Sequence, residues 1–455
     1  MTQTPDAPRL AQSFAEVADA LQSRWPETRL EPSLDRIEAF TEMLGDPQHA
    51  YPVIHLTGTN GKTSTSRMID SLLRALDLRT GRFTSPHVEK VSERISIDGQ
   101  PLDDDAFVRA FNDVAAYTHL VDENEDHPLS FFETMVGMAF AAFAEAPVEV
   151  AVVEVGMGGT WDATNVADGA IAVVLPIAVD HAGYLGDTAV KVAIEKAGII
   201  KPGAVVVVAQ QQPEVLEVLR ARADEVGASV LVEGQDFAIT ARQPAVGGQV
   251  VSLRSLRGQY DEVFIPLYGA HQAQNAVVAL VAVEAFAGDR AIDDELVRHG
   301  FAETTSPGRL EIVRRSPTIV LDAAHNPAGA EATADALDDS FAFSPLIGVV
   351  GVMGDKDVEG LLGAFESQLA HVVCTQNSAP RAMPAEELAE IAREVFGPDR
   401  VTVEPRLADA IDQAAALAEA GDAFGDPFGS GAVLVTGSVV TVGEARGLLS
   451  GGRRS

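Results

Sequence analysis

Short runs rich in valine and isoleucine alternate with longer amphipathic segments along nearly the whole chain, and no other feature restricts its fold so strongly. The runs at 53–57, 148–155, 171–178, 205–209, 319–322, 347–352, 372–375 and 433–436 are close to continuously apolar. A strand that is apolar on both sides of its pleat is covered on both faces, which predicts parallel sheets flanked by helices, an α/β fold. Helical spacing is predicted over 63–76, 384–395 and 407–420. Right-handed crossovers then bring the carboxyl ends of the strands, and with them the ligand sites, to one edge. The stretch 231–267 breaks the pattern: Gly247, Gly248 and Gly258 separate alternating segments, which predicts a small antiparallel piece. A chain of 455 residues is too long for one core. The polar Thr304-Thr305-Ser306-Pro307-Gly308 interrupts the strands before they resume, so the reading is an N-terminal domain over 1–303 and a C-terminal domain over 304–455.

The formal charge is −34, from 33 basic and 67 acidic side chains. Such an excess repels nucleic acid and anionic membrane surfaces, and argues against both as partners. It leaves room for an anionic small ligand, which needs only a local positive site, and its plain role is solubility. Cys374 is the single cysteine, which excludes an internal disulfide and fits a reducing compartment. Residues 1–8 are polar and proline-rich, and no run approaches the ~20 apolar residues of a membrane helix. The expectation is a soluble, cytoplasmic protein.

The run 53–57 leads into Gly58-Thr59-Asn60-Gly61-Lys62-Thr63 and then a helical pattern. Glycines let backbone amides turn inward on phosphate oxygens, and a helix N-terminus adds partial positive charge. Lys62 can reach the β- and γ-phosphates, and the Thr63 hydroxyl can ligate a magnesium ion. The usual signature places a glycine where Leu56 stands, so this is a shortened variant. By itself it signifies nucleoside triphosphate binding and no particular reaction.

Other residues stand at strand ends. Glu154 comes late in a buried run, where a carboxylate is costly unless paired or bound to metal. The following Gly156-Met157-Gly158-Gly159 fails the dinucleotide fingerprint, because Trp161 stands in place of its third glycine. Asp180-His181 closes the next run, although an imidazole suits magnesium poorly and manganese better. Glu195-Lys196-Ala197-Gly198 precedes the run at 205, with an ordinary surface lysine as the alternative reading. In the second half, Asp322 and His325-Asn326-Pro327 join a strand end to a helix start. Arg309, at the linker, is placed to clamp phosphate on domain closure.

Together these segments resemble the folylpolyglutamate synthase and dihydrofolate synthase family, relatives of the Mur ligases. The resemblance runs from about Leu30 to about Val442 and rests on several motifs. They are the 58–63 loop, Thr84-Ser85-Pro86-His87, Glu93-Arg94-Ile95, Gly158-Gly159 with Asp162-Ala163-Thr164-Asn165, Asp180-His181 with Tyr184-Leu185-Gly186, the Glu-Lys-Ala-Gly segment, His271-Gln272 with Asn275-Ala276, Pro307-Gly308-Arg309, and Asp322 with His325-Asn326-Pro327. The resemblance implies a P-loop ATPase domain, a smaller Rossmann-like domain and an active site in the cleft between them. It implies ATP held by Gly58, Thr59, Asn60, Gly61, Lys62, Thr63, Asn275, Arg309 and Asp322, with His325 nearby. Two Mg2+ sites, with Mn2+ as an alternative, would draw on Thr63, Ser85, Glu154 and His181. Lys196 would be carbamylated, supplying an anionic oxygen ligand. The pterin end would lie near Ser33, Leu34, Phe132 and Asp162, next to Thr160 and Trp161, which depart from the family's common Arg-Leu.

The implied reaction joins L-glutamate to a pteroate or folate carboxylate through an acyl phosphate, with dihydropteroate or a reduced folate as acceptor and a monomeric enzyme. Lys62, Lys196, Arg309, Asp322 and His325 would carry the chemistry, mostly by positioning and neutralising charge. One rival is a Mur-type ligase acting on a UDP-muramoyl substrate. Another is a GTPase switch, whose Asp-x-x-Gly pattern Asp180–Gly183 matches, although the chain has no Asn-Lys-x-Asp motif.

Overall fold

A computed structural model of the protein describes residues 10–26, 31–288, 291–420 and 430–450. The polar stretch 1–8, and Leu30 at the start of the family resemblance, lie outside the described residues. The described residues of Met1–Thr240, Ser252–Val263 and Gln274–Thr304 form one compact unit, and those of Ala241–Val251, Phe264–Ala273 and Thr305–Ser455 form the other.

The first unit is built on an eight-stranded sheet: β1 (Val53–Thr57), β2 (Thr80–Phe83), β3 (Ile95–Ile97), β4 (Gln100–Pro101), β5 (Val150–Glu154), β6 (Gly169–Val174), β7 (Val205–Val208) and β8 (Ser229–Val232). The order is β4-β3-β2-β5-β1-β6-β7-β8, so β1 is central, with β5 and β6 parallel to it on either side. The ladder is parallel from β2 to β8, and the short β3 and β4 add antiparallel pairs at one edge. β1 and β5 are buried along their whole length, as strands of a parallel sheet covered on both faces are. The apolar run at 171 was expected to reach residue 178, but β6 stops at Val174, two residues before Pro176, which has no N–H to give a ladder. Likewise the run at 148 forms a strand only from Val150. The helices Phe14–Gln22, Asp35–Met43, Asp104–Asn124 and Phe131–Glu145 bury Val17, Ile37, Phe40, Phe107 and Phe140 with Phe83 and Val153 in one core. A second core joins Val174, Val192, Ile199, Val206 and Leu219.

The segment at 231–267 contains the three-stranded sheet β9 (Ala238–Ala245), β10 (Gly248–Arg254) and β11 (Gln259–Ile265), in the order β11-β10-β9. Its strands follow one another through short turns, which antiparallel pairing alone permits.

In the second unit a six-stranded sheet has the order β12-β13-β17-β14-β15-β16. Its strands are β12 (Glu311–Arg315), β13 (Thr318–Leu321), β14 (Leu346–Val350), β15 (His371–Gln376), β16 (Val401–Arg406) and β17 (Ala432–Thr436). All neighbours are parallel except β12 with β13. The helix Leu407–Ala420 occupies the predicted residues, and Ala385–Phe396 lies one residue along from its prediction. The fold is therefore α/β in both units, with mixed but mainly parallel sheets.

One buried ion pair ties the helix that follows β1 to the first unit's sheet. Asp70, on the helix Lys62–Ala75, receives Arg82 Nη1 of β2 at 2.8 Å and the Thr80 hydroxyl at 2.6 Å, and Arg82 Nη2 reaches Ser96 of β3 at 3.0 Å. Both charged side chains are almost wholly buried. Removing one member leaves the other charge buried and uncompensated, so Asp70→Ala should lower the unfolding free energy by about 3–5 kcal/mol, measured by urea denaturation. A loss below about 1 kcal/mol would show that the pair is not structurally important.

Candidate functional site

The loop Gly58–Thr63 leaves the carboxyl end of β1, the central strand, and runs into the helix Lys62–Ala75. Gly61 adopts φ +87°, a region in which side chains are strained, and a Cβ there would come within 2.7 Å of Asn275 Oδ1. Glycine is required at this turn on both counts. The contact also brings Asn275, of the helix Ala270–Ala287, against the loop. Thr59 ties the loop to the segment after β6, through its N–H to Pro176 O at 3.0 Å and its hydroxyl to Ala178 O at 2.8 Å.

Glu154 is the last residue of β5 and pairs in register with Leu56. It is 1% exposed, and both of its carboxylate oxygens lie 3.1 Å from the Thr63 hydroxyl. Lys62 Nζ donates to Gly58 O at 3.0 Å and sits 3.3 Å from Thr59 O. Lys196, at the end of the helix Ala189–Lys196, donates to the same Gly58 carbonyl at 2.9 Å. The structure thus brings Lys62, Thr63, Glu154, Lys196 and Asn275 around one loop. The carboxylate and hydroxyl are hard oxygen donors of the type magnesium takes, usually beside phosphate and water oxygens. Among the described residues no three His, Cys, Asp or Glu side chains converge on a metal-sized position.

Lys196 is buried, and burial followed by the neighbouring Lys62 charge brings its ammonium from the usual 10.5 down to about 7, against the pull of Asp162, Asp180 and Glu195. A neutral amine is thus abundant at physiological pH.

Two further expected residues end neighbouring segments. Ser85, half-buried, follows β2, which pairs with β5 on the side away from β1. His181 follows β6 at φ +51°, opens the short helix Ala182–Leu185, and has Nε2 3.9 Å from Asp180 Oδ2. The glycine segment after β5 packs closely on its surroundings. A Cβ on Gly156 would meet the Phe132 ring at 2.5 Å, and one on Gly159 would meet Glu195 O at 2.7 Å. Thr160 is exposed, and its N–H donates to Glu195 O at 3.1 Å; the half-buried Trp161 lies along the same glutamate. Asp162 is 3% exposed, and its carboxylate accepts from Thr164 N and Oγ1 and from Met157 N. Ser33 and Leu34 precede the helix Asp35–Met43, where Leu34 and Phe132 flank one core.

The second unit holds its own cluster. Asp322, directly after β13, is buried and accepts from Leu310 N at 2.9 Å, Ala324 N at 3.0 Å and Thr333 Oγ1 at 2.9 Å. Burial raises its carboxyl, and the Arg309 charge works in the opposite direction. His325 Nδ1 lies 3.0 Å from Ala323 O, and Asn326 caps the helix Pro327–Ser340. His271 is lowered to about 4, by burial and then by Arg309 and Arg242.

Residue reading passed over His55, a histidine in the middle of the apolar run 53–57. It is wholly buried on β1 and bonded through Nε2 to Thr164 Oγ1 at 2.9 Å. The available signal was a polar residue inside an otherwise apolar central strand.

A glycine loop between a central parallel strand and a helix, with a lysine at the helix start and an acidic strand end beside it, defines a P-loop α/β protein. The Mur ligase middle domain matches residues 56–283 and the Mur ligase glutamate ligase domain matches residues 308–438. A dihydrofolate synthase/folylpolyglutamate synthase of Mycobacterium tuberculosis is 50% identical, over 96% of this chain and 94% of its own length. A solved structure of the M. tuberculosis folylpolyglutamate synthase complexed with ADP and AMPPCP matches with TM-score 0.91, covering 96% of this chain and 98% of that one. The E. coli FolC structure in complex with DHPP and ADP matches with TM-score 0.85 at 29% identity, covering 98% and 100%. The chain belongs to the folylpolyglutamate synthase/dihydrofolate synthase family of the Mur ligase superfamily.

The depressed Lys196 pKa has a signed consequence for stability. Between about 7 and the ordinary 10.5 the unfolded chain binds more protons at this lysine than the folded one, so its contribution becomes more favourable as pH rises through that window. In buffer freed of carbon dioxide, where the amine is unmodified, Lys196→Met should therefore gain less stability than the parent between about pH 7 and pH 9, as read from urea unfolding at each pH; equal gains would contradict the shift.

Proposed function

We propose that this enzyme joins L-glutamate to the carboxylate of a pteroate or folate, using ATP and passing through an acyl phosphate. The observation that carries the reading is the convergence of Lys62, Thr63, Glu154 and Lys196 on the Gly58–Thr63 loop, in a chain half identical to a dihydrofolate synthase/folylpolyglutamate synthase. A carboxylate is a poor electrophile. Its oxygen attacks the γ-phosphorus, ADP leaves, and the acyl phosphate so formed carries a good leaving group. The amine of glutamate then attacks the carbonyl carbon and expels inorganic phosphate, losing a proton as the amide forms.

This chemistry needs alignment and charge neutralisation more than covalent help. The loop amides of Gly58, Thr59, Asn60 and Gly61 and the helix N-terminus beyond them suit the phosphates. Lys62 neutralises charge on the β- and γ-phosphoryl oxygens, and Asn275 orders the turn at Gly61. Thr63 and Glu154, with Ser85 and His181, are the proposed magnesium residues; the ion, when bound, offsets charge on the phosphoryl oxygens. Lys196 is the proposed carbamate: its neutral amine adds to carbon dioxide, one proton is released, and the cation becomes an anionic oxygen donor. In the second unit Arg309, Asp322 and His325 are the proposed ATP partners. Ser33, Leu34, Phe132, Thr160, Trp161 and Asp162 are proposed to line the acid substrate, with a pterin ring lying on Phe132.

The deciding experiment is phosphate release measured with ATP and each acid in turn, with and without glutamate. Turnover should require both glutamate and dihydropteroate or a reduced folate. Turnover with UDP-muramoyl substrates alone would overturn the named substrate while leaving the ATP chemistry standing. Lys62→Ala should reduce ligation at least about 1000-fold with an unchanged circular dichroism spectrum, since it removes a charge that acts on the transferred phosphoryl group. Lys196→Ala should lose most activity, and 13C-labelled bicarbonate should give a carbamate resonance in the parent that this variant lacks. An unchanged rate, or the same resonance in both proteins, would remove the carbamate from the mechanism.

A further inference from the structure

β1 places His55 and Thr57 on one side of its pleat, two residues apart in a strand that is buried throughout. Both side chains reach the segment that follows β5. Thr57 Oγ1 donates to Gly158 O at 3.0 Å, and His55 Nε2 lies 2.9 Å from Thr164 Oγ1. Thr164 Oγ1 is in turn 2.5 Å from Asp162 Oδ1, and Asp162 Oδ2 takes the Met157 N–H at 2.9 Å. A continuous polar line therefore runs from the central strand through Thr164 to Asp162 and on to the backbone beside Gly156. Its three side chains are at most 3% exposed.

The direction of the protons follows from counting donors. A threonine hydroxyl has one proton. The short contact to Asp162 claims it: burial raises the Asp162 carboxyl, but its two oxygens face the Thr164 and Met157 N–H groups, which can only donate and so favour the ionised form, and a carboxylate accepts strongly. Thr164 Oγ1 must then accept from His55, which places the imidazole proton on Nε2. The other ring nitrogen, Nδ1, is buried with no hydrogen-bond partner among the described residues. A proton on Nδ1 would bury an N–H without an acceptor, and a cationic ring would bury a charge as well. Burial and the nearby Lys201 charge both work against protonation, lowering the ring to about 3.

We infer that His55 is a positioning residue: as a neutral ring protonated on Nε2, it orients Thr164, and through it the Asp162 carboxylate and the Gly156–Gly159 turn, for the acid substrate. Its action on substrate rests on the reading that Asp162 lines the acid subsite; the hydrogen-bond line itself does not.

The test has a spectroscopic and a kinetic arm, both on the full-length protein. Long-range 15N–1H correlation spectra of protein carrying labelled histidine should show one ring with Nε2 protonated and Nδ1 bare, unchanged between roughly pH 6 and pH 9. The Nε2 resonance should move in Thr164→Val, which assigns the contact without reference to activity. A His55 ring protonated on Nδ1, or titrating in that range, would overturn the inference. In kinetics, Thr164→Val and His55→Phe should each raise KM for the acid substrate about tenfold, the scale of one lost buried hydrogen bond, with KM for ATP within about twofold of the parent. The double variant should be no worse than either single one, because the two act in series. His55→Gln, whose amide nitrogen reaches a similar distance, should recover most of the loss. Equal rises in both KM values, additive losses, or a Gln variant as impaired as Phe would reduce His55 to a packing residue. If His55→Phe does not fold, Thr164→Val and the ring spectrum still decide. Should no pterin acid be ligated at all, the named substrate fails, and the ring spectrum tests the relay independently.

Discussion

Glu154 stands 1% exposed at the last position of β5, where an unpaired carboxylate would cost several kcal/mol. The Thr63 hydroxyl, 3.1 Å from both of its oxygens, is one of its partners, and Thr63 can be there only because the Gly58–Thr63 loop turns the chain from β1 into a helix beside β5. The glycine loop and the acidic strand end therefore support each other. One supplies a hydroxyl for a buried acid, and the other supplies an anionic oxygen beside the proposed phosphate site, of the kind a hard cation takes. The order β5-β1-β6 makes this economical, because three parallel strands end side by side and their following loops share one edge.

The same edge gathers two lysines. Lys62 and Lys196 both donate to the Gly58 carbonyl, an arrangement that keeps two cations close and one of them buried. The lowered Lys196 pKa is the direct result, with burial as the larger cause and the Lys62 charge as the next. A lysine that is partly neutral near pH 7 can act as a nucleophile toward a small electrophile, whereas an ordinary surface lysine is almost wholly protonated. The lowered pKa at this position is thus a property of packing, since the side chain itself is ordinary.

Behind the edge, β1 carries polar side chains inward at His55 and Thr57, and both are spent on the segment between β5 and β6. That segment, 155–168, contains the glycines that pack against Phe132 and against the Glu195 and Lys196 backbone. Its shape is therefore governed from three sides: the central strand, the start of the helix Phe131–Glu145, and the end of the helix Ala189–Lys196. In the second unit Asp322 plays a comparable part, since its carboxylate gathers the N–H groups of Leu310 and Ala324 and the hydroxyl of Thr333 at the end of β13.

The apolar runs determined that the two larger sheets are mainly parallel, and the glycine loop with its following lysine marked the turn where nucleotide phosphates are proposed to bind, because both depend on residue type and local spacing alone. Strand ends were less legible: hydrophobicity ran on past Val174, while the ladder stopped where Pro176 has no proton to donate. The family motifs named Lys196 and Asn275, but only the fold brought one to the Gly58 carbonyl and the other to Gly61, from 138 residues away in the first case. His55 was harder still, since a single histidine in an apolar run carries no periodic signal. Its role depends on Thr164, 109 residues along the chain, meeting it across the sheet. Short-range pattern determines which elements form. Hydrogen-bond partners and pKa values depend on which distant groups share a dry interior, and that was decided only by the tertiary structure.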